Sequence, residues 1–347
     1  MYGTVGSLAA CFIVTFRMLA TSAWIATYIV LALFAFVMVS GYLHRRSAGR
    51  VTSTASMKGK TVIITGASAG IGKEAARDIA RRGARVILAC RNLKKARDVA
   101  ENIELSTGNS QVLVRQLDTS SLTSVRNFAA KILAEEPRLD VLALNAGIGG
   151  EADLILTEDG LELTMATNHF GHFLLANLLL GLLKKSSPSR IVVTASMAHK
   201  FLKTLDLKNL IYENGDYGSF RAYCQSKSCN ILFARHLAEM LKGTGVVVNA
   251  LCPGFVATEI FTKSSGFMIG KLFKVFVPLS SRTEEQGAQT IVHLAVSEEG
   301  ADISGKVFED CKVSRKAASI VQDTGLAKKV WEASEEYVKL KPEERLY

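Results

Sequence analysis

What this chain lacks narrows it before any motif does. Its six cysteines (Cys11, Cys90, Cys224, Cys229, Cys252, Cys311) are scattered, with no C-x-x-C pair. That argues against a disulfide framework and for reduced thiols in a protein facing a cytosol. No zinc-ligand spacing, RNP string or block of Lys/Arg appears. The formal net charge of +10 therefore points to an anionic membrane surface or a phosphate-bearing ligand, and away from nucleic acid. There is no Asn-x-Ser/Thr sequon, no internal repeat and no low-complexity segment.

Charge is absent altogether between Met18 and Leu43. As a helix that run is about 39 Å long, enough to cross a hydrocarbon core of about 30 Å. Trp24, Tyr28 and Tyr42 lie near its ends, where amphipathic rings favour the interface. Arg45, Arg46, Arg50, Lys58 and Lys60 follow, against Arg17 before it, so the positive-inside bias places everything after residue 44 in the cytosol. A cleaved signal peptide fits less well: the start carries no positive charge and the apolar run is too long. Residues 2–16 are uncharged but short for a second pass. The expected organisation is a membrane segment over 1–43, a basic polar linker over 44–58, one catalytic domain over 59–312 and a helical tail over 313–347.

Hydrophobic residues make up 48% of the 347, ample for a large core. From Lys60 onward, short β-branched runs (61–65, 85–89, 111–117, 141–144, 190–194, 246–250) alternate with helical stretches that include 70–82, 122–135, 161–185 and 221–242. Such alternation predicts an α/β, doubly wound Rossmann fold, its parallel sheet covered by helices on both faces. Residues 305–308 supply a seventh strand, and 325–340 form an amphipathic helix.

Gly66, Gly70 and Gly72, with Ser68 and Ile71 between them, follow the first strand and open a helix. Glycines there let the backbone turn tightly and approach a pyrophosphate, whose charge the helix N-terminus favours. At the end of the second strand an NAD-binding chain usually has Asp or Glu for the ribose 2′-hydroxyl; here Cys90 stands there, then Arg91, with Lys94 and Lys95 beyond. No carboxylate repels a 2′-phosphate and a guanidinium is ready to grip it, so NADP(H) is the expected cofactor. Asp118 ends the third strand, positioned for an adenine hydrogen bond. Asn145-Ala146-Gly147 closes the fourth and shapes the cofactor floor.

Tyr223 and Lys227 stand four apart on a predicted helix, 27 residues after Ser196, so their polar ends point the same way. A phenol of pKa about 10 is a poor acid–base catalyst at neutral pH, and a neighbouring ammonium favours its ionised form.

With these residues in view, the chain from Lys58 to about Leu340 resembles the short-chain dehydrogenase/reductase superfamily. More narrowly it is similar to the membrane-anchored, NADP-dependent retinol dehydrogenases. The general motifs are Thr65-Gly66-Ala67-Ser68-Ala69-Gly70-Ile71-Gly72, Asn145-Ala146-Gly147, Ser196, Tyr223-Cys224-Gln225-Ser226-Lys227 and Pro253-Gly254. The narrower match rests on Leu88-Ala89-Cys90-Arg91, the segment from Asn168 to Leu175, Ala222 before the tyrosine, and Trp331-Glu332-Ala333-Ser334. The resemblance implies that Tyr223 is the acid in carbonyl reduction and the base in alcohol oxidation. Lys227 would lower its pKa and hold the nicotinamide ribose, and Ser196 would hydrogen-bond the substrate oxygen. Asn168 would anchor a relay water, and Thr258 would hold the carboxamide. Three departures stand out: Leu144 before Asn145, Ala195 in place of a first serine, and Ala69, which leaves NADP discrimination to Arg91.

His169, His172 and His199 lack a Cys or carboxylate to complete a zinc set, and packing is the expected role, as it is for the small Cys224. Residues 266–279 are unusually apolar for a loop. They are expected to cover the substrate pocket and, through Phe267, Ile269, Phe273 and Phe276 with Lys271 and Lys274, to dip into a membrane.

The sum is a membrane-bound, cytosol-facing oxidoreductase at the endoplasmic reticulum or a related endomembrane. It interconverts a lipophilic alcohol and its aldehyde or ketone, with retinol/retinal first by resemblance and reduction the expected direction. Sterol, polyprenol or lipid-derived carbonyls are the alternative substrates, a non-catalytic NADP-binding scaffold the alternative class, and a homodimer a possible assembly.

Overall fold

Val62, Ile63 and Ile64 are fully buried, as an unbroken β-branched run must be when both faces of its strand are covered. In the computed structural model, which describes residues 3–256 and 279–347 (side chains of the first helix only at 24, 25 and from 27 on), this run is β1, Thr61–Thr65. The other strands are β2 (Arg85–Cys90), β3 (Val112–Gln116), β4 (Val141–Leu144), β5 (Ser189–Thr194), β6 (Val246–Cys252), β7 (Val307–Glu309) and β8 (Lys312–Val313). Their order is β3-β2-β1-β4-β5-β6-β7-β8, parallel throughout except for the β7–β8 pair. Among the described residues the sheet thus has eight strands where seven were expected. The chain reverses at Asp310 and Cys311 (φ 53° and 61°), and a two-residue antiparallel edge follows that no side-chain period announces.

The helices are α1 (Gly3–Arg46), α2 (Gly70–Arg81), α3 (Leu93–Thr107), α4 (Leu122–Glu135), α5 (Leu163–Met165, continuing through a π-turn at Ala166–Phe170 into Gly171–Lys185), α6 (Ser219–Met240), α7 (Glu284–Val296) and α8 (Thr324–Tyr337). One layer (α2, α3, α7) buries Ile79, Ile103 and Ile291 against one face of the sheet. The other (α4, α5, α6, α8) buries Phe128, Phe173, Phe233 and Trp331 against the opposite face. Local chemistry sets the boundaries. Helix α3 starts where the Asn92 side chain accepts from the Lys95 N–H and ends at Gly108 in the left-handed region; its buried positions Ala96, Ala100 and Ile103 keep one helical face.

Two boundaries differ from expectation. The tail is part of the core: the Trp331 ring lies 4.7 Å from Phe173 and stacks at 5.9 Å on Phe233, while Val313 belongs to the sheet. The stretch 44–58 is docked instead of trailing as a polar linker. Met57 is buried, Arg82 donates to the Ser53 and Ala55 carbonyls, and the Val51 N–H donates to Gln289. Helix α1 runs unbroken beyond the expected span of 18–43; its described part Thr27–Arg46 has a mean hydropathy of 1.8 and is only 6% buried, suited by length and composition to a membrane crossing. Thr258 and the apolar loop up to residue 278 lie outside the described residues.

Candidate active site

The strand order turns back between β1 and β4, and beyond their carboxyl ends opens a crevice of about 670 Å³. Every described residue expected to touch cofactor or substrate borders it, except Asn168, which sits one layer behind.

At the nucleotide end the backbone does the shaping. Gly66 has φ +69°, and a Cβ on it would come within 2.8 Å of the Ala146 Cα. A Cβ on Gly72 would lie 2.4 Å from the Asn145 Nδ2 and 2.8 Å from the Gly66 carbonyl. Helix α2 begins at Gly70 after Ala69, whose side chain offers no cap, so its first N–H groups face the crevice as an anion site. The Asn145 Oδ1 is buried with no partner, while its amide donates to the Thr65 carbonyl. An orphaned acceptor, an uncapped helix start and a glycine cradle together fit a dinucleotide. Arg91, largely exposed at the end of β2, reaches within 4.0 Å of Asp118. The Asp118 carboxylate also accepts from the Ser120 hydroxyl at 2.6 Å and its N–H at 3.0 Å, which fixes it at the rim of the crevice.

At the other end the side chains form a network. Helix α6 carries Tyr223 and Lys227 on one face, and the Lys227 ammonium lies 5.7 Å from the Tyr223 ring centre. It donates to the Thr194 carbonyl at 3.2 Å, at the end of β5. Ser196, two residues on, caps the short 3-10 turn Met197–Phe201 and hydrogen-bonds the Tyr223 side chain. Burial pushes the Tyr223 phenol up to about 12, against the pull of the Ser196 bond, and lowers the Lys227 ammonium to about 8. Burial is the leading cause of both shifts, and each favours the neutral form of its group.

Through its side chain Asn168 accepts from the Ile148 N–H at 2.8 Å and donates to the Ile148 carbonyl and the Ser226 hydroxyl at 3.0 Å each. It therefore pins the loop after β4 to α6. Its carbonyl accepts from Asn230 at 3.0 Å and from His172 Nδ1 at 3.1 Å. A carbonyl only accepts, so Nδ1 carries the His172 proton and Nε2 accepts from the Thr65 hydroxyl at 2.9 Å. That hydroxyl in turn accepts from the Asn145 and Ala146 N–H groups. Burial lowers His172 to about 3 and His169 to about 4, so both rings are neutral. His169 bridges Asn230 and Ser334.

Sequence reasoning missed Asn230, which donates to both the Asn168 and Thr194 carbonyls; its spacing three after Lys227 on one helix face could have revealed it. It missed Thr65 as the hub of the floor, and Phe201 and Phe220, whose rings meet edge-on at 5.6 Å along the apolar wall. No periodicity marks residues gathered from separate loops.

Comparison with known proteins adds the following. A family model described as short chain dehydrogenase matches residues 60–204 and 211–267. Retinol dehydrogenase 11 of Homo sapiens is 46% identical over 290 residues, covering 83% of this chain and 88% of that protein. Retinol dehydrogenase 13 of Homo sapiens is 42% identical over 313 residues, covering 88% and 92%. Among solved structures, a putative uncharacterized protein from Mycobacterium paratuberculosis aligns with a TM-score of 0.66 and 31% identity, covering 84% of this chain and 98% of that one. A putative short chain dehydrogenase from Escherichia coli CFT073, complexed with NADPH, aligns at 0.59 and 26% identity, covering 74% and 99%.

Proposed function

The chain belongs to the short-chain dehydrogenase family, and from that premise we propose that it reduces a long, apolar aldehyde to its alcohol with NADPH, retinal being the first substrate to test. It is an NAD(P)-dependent oxidoreductase acting on CH–OH groups. The observation that carries the reading is the Tyr223 phenol, hydrogen-bonded to Ser196 at the crevice wall with Lys227 5.7 Å from its ring centre.

Ser196 holds the substrate oxygen, and Tyr223 gives that oxygen its proton as the carbonyl carbon is reduced. Lys227, cationic below about pH 8, stabilises the phenolate so formed and holds the ribose hydroxyls. When bound, the nicotinamide supplies the hydride. The Gly66–Gly72 cradle and the start of α2 hold the pyrophosphate, with Asp118 at the adenine. The preference for NADP rests on Arg91 and on the absence of a carboxylate at Cys90. Tyr223 would be reprotonated from solvent after giving up its proton, which readies it for the next turnover.

Helix α1 serves as a single-pass anchor at the endoplasmic reticulum or a related endomembrane, with the catalytic domain in the cytosol and a lipophilic substrate drawn from the bilayer. The retinol dehydrogenases among its relatives support that substrate class. A homodimer is compatible with it. The test is turnover by the membrane-bound protein of all-trans-retinal, a steroid ketone and a short aldehyde, each with NADPH and with NADH. Selective reduction of retinal with NADPH is expected. Turnover of the short aldehyde alone, or preference for NADH, overturns it.

A further inference from the structure

The geometry points to a positioning role for Arg282, which joins the root of the anchor helix to the nicotinamide end of the crevice, so that docking of α1 and grip on the cofactor are coupled. This rests on the cofactor reading above. Arg282 is 5% exposed, and its guanidinium makes a two-pronged pair with Asp310, at 2.5 and 3.1 Å. Its Nε donates to the His44 carbonyl at 3.4 Å, and Gln286 donates to that of Arg45 at 3.1 Å. The last carbonyls of α1, which no intrahelical N–H can reach, are thus closed by side chains from the segment that begins α7.

The same guanidinium lies against the Pro253-Gly254 turn. Gly254 has φ +83°, and a Cβ on it would stand 2.6 Å from the Arg282 Nη1. The Arg282 N–H donates to the Phe255 carbonyl at 2.8 Å, and Val256 bridges to Arg282 in parallel register. Gly254, Phe255 and Val256 all line the crevice beside Ser196 and Tyr223. From the anchor side, Arg45 donates to the Leu279 carbonyl at 2.6 Å, and the Gly49 N–H donates to Asp310 at 3.3 Å. The approach is close: a Cβ on Gly41 would fall 2.0 Å from the Leu279 oxygen. One buried cation therefore answers to the anchor, to the β7–β8 turn and to the cofactor loop. Shifting any of the three moves the others, because a buried arginine that loses one partner has no water to replace it.

The test uses the full chain in phospholipid nanodiscs, titrated with NADPH and with adenosine 2′,5′-bisphosphate, which occupies only the adenine end. Gly41→Ala displaces α1 without touching the crevice; Arg282→Ala removes the clasp, and Arg282→Lys keeps the charge but not the fork. Coupling of the usual size lowers NADPH affinity roughly five- to tenfold in Arg282→Ala and about half as many fold in Gly41→Ala, with partial rescue in Arg282→Lys and bisphosphate affinity unchanged. By reciprocity, NADPH binding to the unaltered protein slows amide exchange over residues 47–52. Unchanged NADPH affinity in Gly41→Ala, equal losses for both nucleotides, or unaltered exchange over 47–52 each overturn the coupling. If the unaltered protein binds neither nucleotide, the NADP reading fails instead, and NADH paired with AMP repeats the comparison.

Discussion

The two ends of the crevice are built from different materials. At the nucleotide end, Gly66 and Gly72 hold the space with main chain alone, and a methyl group on either would collide with Ala146 or Asn145 respectively. At the other end, Tyr223, Lys227, Asn230 and Asn168 hold it with a buried network of hydrogen-bonded side chains. Packing punishes added volume at the first end, while the second tolerates loss of an oxygen but not of its chemistry. The glycine end is therefore a steric object and the tyrosine–lysine end an electrostatic one.

The sharpest way to separate them is Tyr223→Phe. It removes one hydroxyl and no carbon, so turnover should fall about a hundred- to ten-thousandfold while NADPH affinity and the melting temperature hold, which is the range a positioned general acid contributes. Turnover within tenfold of the parent would mean that the proton comes from elsewhere. Gly72→Ala should do the reverse. Its Cβ cannot be housed between Asn145 and the Gly66 carbonyl, so nucleotide affinity should drop by about a hundredfold, with a stability cost of about 1–3 kcal/mol from overpacking. Calorimetry and thermal melting read both.

Arg91→Ala probes the exposed rim of the nucleotide end. Losing a charge-assisted contact to the 2′-phosphate should weaken NADPH by about tenfold and leave NADH unchanged, on the usual 1.5–3 kcal/mol for such bonds reduced by exposure. Equal weakening of the two coenzymes would assign the discrimination to other residues. The smallest expected effect is that of pH on the carbonyl end. Lys227 is held down near 8 by burial, so its cationic form is present below that value and lost above it. For reduction, kcat/KM should be level from pH 6 to 7 and fall about fourfold between pH 7 and 8.5, following the charged fraction of a group with that pKa. A profile rising over that interval would exclude Lys227 as the group that must carry charge.

The nucleotide end was open to sequence reasoning because its elements are local. A β-branched strand, three glycines and a helix start occupy consecutive residues 61–81, and each shape has a residue type that permits it. The same holds for Tyr223 and Lys227, one helical turn apart. Asn168 was legible in the sequence as a candidate, but its hydrogen-bond partners were not. Its engagement with Ile148 and Ser226 depends on how two helices pack. The sequence gives no spacing from which to expect Arg282 beside His44, because 238 residues separate them. Nor does a polar stretch from 44 to 58 reveal that Arg82 will bind it to the domain.

By itself, then, the order of amino acids determined the alternation of strands and helices, the glycine cradle, the tyrosine–lysine pair and the uncharged stretch that can enter a bilayer. These depend on side-chain size, charge and the periods of regular backbone. Tertiary structure decided the protonation of Tyr223 and Lys227, the incorporation of the tail into the core, the eighth strand and the clasp between anchor and crevice. Those depend on burial and on contacts between distant segments, and the cost of an unpaired polar group arises only once folding has removed its water.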